Sequence, residues 1–179
     1  MPADVLKGKI PLDAIAIHFD TLQVRPRPHL SNEERMAMNI KKVVVGGIVA
    51  GVVLNVIDFI SNYALAARMK AETDAFKPGL ADQMAAGSSM VSYIIMDFAL
   101  GIALVWTYAA IRPRFGPGPR TAAFTAILFW LLALIFYAGY RQMGMMSPGL
   151  WWTLAVVGLV NFLIASWAGA KVYTEDVAL

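Results

Sequence analysis

The chain has 179 residues, 59% of them hydrophobic and 15% charged, with a mean hydropathy of +0.61. A soluble domain is nearer half apolar and a quarter charged, so this composition excludes an ordinary soluble fold and marks a polytopic membrane protein. The absence of cysteine excludes disulfides, thiolate catalysis and Cys-ligated metals, and a net charge of +3 is too small to point to nucleic acid.

Residues 1–35 are unlike the rest. Five Lys/Arg balance five Asp/Glu. The stretch lacks the uninterrupted apolar core of a cleavable signal, so the first spanning helix is expected to serve as the targeting signal. VRPRPHL should be extended, because each proline biases its predecessor away from helix. Ser31-Asn32-Glu33-Glu34 has the pattern of a helix start, a capping residue followed by acids. That helix is expected to run from Asn32 straight into the first span. An arm of this kind builds no core of its own, so it is expected to dock on something. His18 and His29 are the chain's two histidines and lie in this arm. This argues against a haem or chlorophyll held by an intramembrane histidine, and no cofactor or metal is expected.

Four apolar runs follow: 43–67, 90–111, 121–140 and 150–170. Each has the roughly 20 residues needed to cross a hydrocarbon core of about 30 Å. Backbone polar groups must be satisfied internally there, so the runs are helices. The expected fold is an all-α bundle of four transmembrane helices over 36–179, preceded by the extramembrane arm. Lys41, Lys42, Arg112, Arg114, Arg120 and Lys171 fall at one set of ends. By the excess of basic residues on the cytoplasmic side, both termini are expected inside. The arginines of the 112–120 loop could also contact anionic head groups. The 68–89 segment is too polar to span. It is expected to be a surface loop with one short helix, broken at Pro78-Gly79. RPRFGPGPR should form a stiff reversal that keeps the second and third helices adjacent.

Polar residues inside the runs mark the interior. In the first run Gly47, Gly51, Asn55, Asp58 and Asn62 fall within roughly 80° of arc. The second carries Tyr93, Asp97, Gly101, Leu104 and Tyr108 on one face. The fourth offers Trp151, Leu154, Gly158, Asn161, Ala165 and Gly169. Glycines at such spacing let helices approach closely, which makes Gly47, Gly51, Gly101, Gly158 and Gly169 candidate packing positions. The third run, with FWLLALIFY, reads as facing lipid or a partner.

Asp58 and Asp97 are the chemically notable pair. With the runs centred in the bilayer, both lie roughly 5 Å from the midplane, away from the termini. Carboxylates in hydrocarbon are costly and normally face an interior, a cavity or a partner. No Lys, Arg or His lies at their depth, so at least one should carry a proton and donate. Asn55, Asn62, Tyr93 and Asn161 complete the candidate cluster, with the other aspartate, Asn62, Tyr93 and Asn161 as partners in reach. Three roles stay open: a polar knot that fixes helix register, a proton- or cation-handling site, or a contact to another subunit.

Enzyme motifs are missing: no Ser-His or Cys-His set, no H-E-x-x-H and no phosphate-binding loop. Intramembrane aspartyl proteolysis needs two aspartates on neighbouring helices. Here they lie in IDFI and MDFA, without the Gly-Asp context of that family.

KKVVVGGIVAGVVLNVIDFISN, MDFALGIALVWTYAAIRPRFGPGPRTA and the closing AGA-x-VY together resemble a family of small, uncharacterised four-helix bacterial inner-membrane proteins. The likeness spans about residues 40–173 and leaves the arm outside. It implies a topology and a bacterial source, and no activity. The expected role is a non-catalytic accessory subunit of a larger respiratory or photosynthetic membrane complex. Its partners would be other integral subunits and lipids. The competing expectation is a small homo-oligomeric carrier that uses Asp58 and Asp97.

Overall fold

A computed structural model describes residues 38–173, which form five helices and no strand. The expectations for the 1–35 arm lie outside the described residues. The helices are α1 Ile40–Phe76, α2 Leu80–Gly87, α3 Met90–Phe115, α4 Pro119–Gln142 and α5 Pro148–Val172. α1, α3, α4 and α5 are long and apolar enough to cross a membrane, and α2 is a short connector. The described chain is an all-α bundle of four spans.

α1 differs from its sequence reading at both ends. It begins at Ile40, where the Asn39 side chain accepts from the Lys42 N–H at 3.1 Å. That cap satisfies one of the free donors of the first turn. Residues 38 and 39 are not helical, so the described helix starts at Ile40, and the expected start at Asn32 lies outside the described residues. At its far end α1 continues through Phe76, so residues 68–76 are helix where a loop was expected. Arg68–Glu72 and Lys70–Asp74 pair at i,i+4 and support the additional turns. Lys77 is extended (φ −150°, ψ 117°), as the residue before a proline prefers. Gly79 then takes φ 78°, and Asp74 accepts from the Ala81 N–H to start α2.

The GPGP reversal is tight. α3 runs on through Pro113 to Phe115. Gly116 and Gly118 take φ 83° and 124°, a region that glycine enters at no steric cost. Pro119 then opens α4, where its missing N–H costs nothing. Tyr108 accepts from the Gly118 N–H, and Thr121 donates to the Gly116 carbonyl.

α1 packs against both α3 and α5. α4 packs mainly on α5 and meets α3 over a small area, and no Cα of α1 comes within 8 Å of one of α4. Consecutive α3 and α4 are thus joined by a short reversal, yet the main seat of α4 is α5. The buried residues concentrate where the spans begin or end near residues 40, 115, 119 and 172. Val43, Ala50, Leu54, Leu104, Val105, Ala122 and Ala165 form this core. Tyr108 meets Tyr173 edge-on at 6.0 Å, with Arg112 over the Tyr173 ring. This is the closed end of the bundle. α4 is buried there at Thr121, Ala122, Thr125 and Ala126 and nowhere further along.

Glycines bring the backbones together at the closed end. A Cβ on Gly101 would lie 2.5 Å from the Gly47 carbonyl oxygen and the Gly51 nitrogen. One on Gly47 would lie 2.6 Å from the Ile102 Cα, and one on Gly51 2.5 Å from the Phe98 ring. Toward α5, Gly46 faces Gly169: a Cβ on either would come within 2.8–2.9 Å of the other's carbonyl oxygen. Gly158 differs, since a Cβ there meets Trp130 at 3.8 Å, an ordinary contact.

Candidate functional site: an intramembrane carboxylate crevice

Followed away from the closed end, the polar stripes emerge from the core. On α1, Gly47 and Gly51 are buried, Asn55 and Asp58 half-buried, and Asn62 exposed. On α3, Tyr108, Leu104 and Gly101 are buried, Asp97 half-buried and Tyr93 exposed. The stripes open because α4 stays clear of α1. The resulting crevice has a volume of about 790 Å³. It runs from Leu54 and Asn161, deep in the bundle, to Ser88 and Met146 at the other end, and all four spans line it.

One polar contact crosses it. Asn161 on α5 donates from Nδ2 to Oδ1 of Asp58 on α1, at 2.7 Å. Asn161 is only 4% exposed, and its Oδ1 has no hydrogen-bond partner. A carboxylate acceptor fixes the amide with Nδ2 toward Asp58, which leaves the acceptor oxygen unmatched. Asp97 on α3 lines the same crevice. It lies near enough to Asp58 for their charges to interact, and it makes no hydrogen bond within the described residues.

The other cluster members behave differently. Asn55 donates to the Gly51 carbonyl and Asn62 to the Asp58 carbonyl, each back onto its own helix. Such i−4 bonds satisfy a side chain without joining helices. Tyr93 lies toward the mouth, 58% exposed. Of the six polar residues singled out from sequence, Asp58 and Asn161 meet, Asp97 shares their cavity, and the remaining three line it without bonding across it.

α4 contributes what sequence reasoning missed. Trp130, Ala133, Leu134 and Tyr137 form its wall of the crevice, and Trp130 donates to the Ala155 carbonyl at 2.7 Å. A tryptophan and a tyrosine seven residues apart lie on one helix face, the signal that could have found them. The opposite face carries Leu128, Leu131, Leu132, Ile135 and Phe136, all exposed. No protein-family model, characterised protein or solved structure matches the chain. Function must therefore be read from the site and the surface.

Two features of the site matter chemically. Its acceptors not already engaged are the Asp97 carboxylate, the second Asp58 oxygen and Asn161 Oδ1, and the hydroxyls of Ser61, Tyr93 and Tyr137 also line it. No lining residue is Lys, Arg or His. Among the described residues no three His, Cys, Asp or Glu side chains come together as a metal site would require. The basic residues named for orientation, Lys41, Lys42, Arg112, Arg114 and Arg120, all lie at the closed end, far along the chain axis from the carboxylates. Arg120 lies over the Phe124 ring and Lys171 over Trp167.

Proposed function

We propose that this chain is a non-catalytic accessory subunit of a larger bacterial inner-membrane complex, of the respiratory or photosynthetic kind, with both termini cytoplasmic. The observation that carries the reading is α4. Beyond its first two turns it buries no residue, and it presents a continuous apolar face with Ile135 68% and Phe136 73% exposed. A span that packs on α5 along one side and leaves its other side bare is suited to packing against a neighbouring subunit's helices. Such packing comes from van der Waals contact, since lipid already satisfies apolar side chains. The family resemblance and a 1–35 arm whose sequence is expected to build no core of its own agree with recruitment into an assembly. The test is gentle extraction from the native membrane, native-gel separation and mass spectrometry. Comigration with a defined set of larger subunits is expected. Migration as a lone monomer or a homo-oligomer would refute the role.

The crevice favours a second reading, a small homo-oligomeric carrier for protons or cations that uses Asp58 and Asp97. Carboxylates inside a membrane commonly mark such pathways. In proteoliposomes this reading requires a flux that Asp58→Asn and Asp97→Asn abolish. Equal flux in wild type and both variants would remove it.

A further inference from the structure

We propose that the crevice is a binding site for a lipophilic organic ammonium ion, with an apolar body lying among the α3 and α4 side chains and its N–H donors directed at Asp58, Asp97 and Asn161. Three observations converge. First, the volume of about 790 Å³ falls within the roughly 300–1,000 Å³ typical of small-molecule sites. Second, the polar groups are convergent and matched to a donor. Asp58 and Asp97 approach from different helices, and Asn161, nearly fully buried, has an acceptor oxygen without a partner. Unmatched buried acceptors are costly, and a ligand with several N–H groups would satisfy them together. Third, the walls suit a cation with an apolar body. Trp130, Tyr93 and Tyr137 line it, and aromatic rings attract cations. Leu54, Leu134 and Phe162 supply apolar contact.

The same features disfavour other ligands. An anion would meet two carboxylates and no cationic side chain. A phospholipid head group would have to leave the interface to reach a depth about 5 Å from the midplane. A hydrated metal ion would find large apolar walls and few oxygens.

The probe is 4-phenylbutylamine, which is protonated at neutral pH as a lysine side chain is. 4-Phenylbutan-1-ol is its neutral counterpart. Binding is measured by equilibrium dialysis to the full chain in nanodiscs, with empty nanodiscs subtracted. Saturable binding of the amine is expected, at least about tenfold tighter than the alcohol. Asp97→Asn, which breaks no hydrogen bond among the described residues, should weaken the amine by about tenfold and leave the alcohol unchanged. Asp58→Asn should do the same. Leu134→Trp keeps both carboxylates and fills the crevice, so it should block the amine. It also guards against a variant that merely misfolds. Equal binding of amine and alcohol, binding no greater than to empty discs, or unchanged binding in Asp97→Asn and Leu134→Trp would overturn the site. These results leave the comigration experiment unaffected, so the two proposals fail separately.

Discussion

Adjacent Gly46 and Gly47 divide their work. Side-chain directions of neighbouring helix residues differ by about 100°, so Gly47 meets α3 while Gly46 meets Gly169 on α5. The sequence showed Gly47 and Gly51 at a four-residue spacing and left Gly46 unused, because a single-face reading assigns a helix one neighbour. The structure gives α1 two. The contrast between Gly101 and Gly158 has a measurable consequence. Gly101→Ala puts a methyl 2.5 Å from α1 backbone, and backbone cannot rotate away. It should cost on the order of 1–3 kcal/mol, the usual range for overpacking. Gly158→Ala adds an ordinary contact and should be close to neutral. Thermal unfolding in detergent compares the two; equal melting temperatures would show that the α1–α3 backbones are not in such close contact. Asp58 and Asn161 were legible as interior residues because polar groups in apolar runs need partners. That Asn55 and Asn62 bond back to their own helix was not legible, since the sequence gives the same signal for either outcome.

At the scale of elements, hydropathy placed all four spans and missed their ends. The cause is physical: helices continue past the hydrocarbon wherever local interactions support them. α1 gains two turns from i,i+4 ion pairs, and α4 starts at Pro119 because a proline suits a first turn. The end of α1 also reaches α5. Glu72 accepts from both the N–H and the hydroxyl of Ser147, each at 2.8 Å. The Ser147 hydroxyl oxygen in turn accepts from the Leu150 N–H and caps α5. Ser147→Ala loses the cap and one bond to Glu72. A destabilisation of about 1–2 kcal/mol is expected, at the upper side for a lost cap. Hydrogen exchange should rise in the first turn of α5 and near Glu72. Exchange unchanged at both places would mean that this tie does not hold the two helices.

At the scale of the molecule, the bundle is closed at one end and open at the other. The closed end follows from glycines, alanines and threonines that let α1, α3, α5 and the start of α4 approach. The open end follows from the bulkier Trp130, Leu134 and Tyr137 on α4 and from the separation of the α1 and α4 backbones, which nowhere bring Cα atoms within 8 Å. Single-helix patterns reveal a polar face but not whether the facing helix fills the space before it, so the crevice itself could not be read from the sequence. The carrier alternative and the ammonium site both take the carboxylates to line an accessible interior. The cysteine-free sequence makes this directly measurable. Leu65→Cys and Leu134→Cys place a thiol in the crevice, and Leu132→Cys and Phe136→Cys place one on the outer face of α4. Each variant, in oriented membranes, is treated with a polar, membrane-impermeant thiol reagent from the side of the 77–89 segment. Labelling at Leu65 and Leu134 with none at Leu132 and Phe136 is the expected result. Protection of all four positions, or labelling of the outer pair alone, would contradict an open crevice at Asp58 and Asp97.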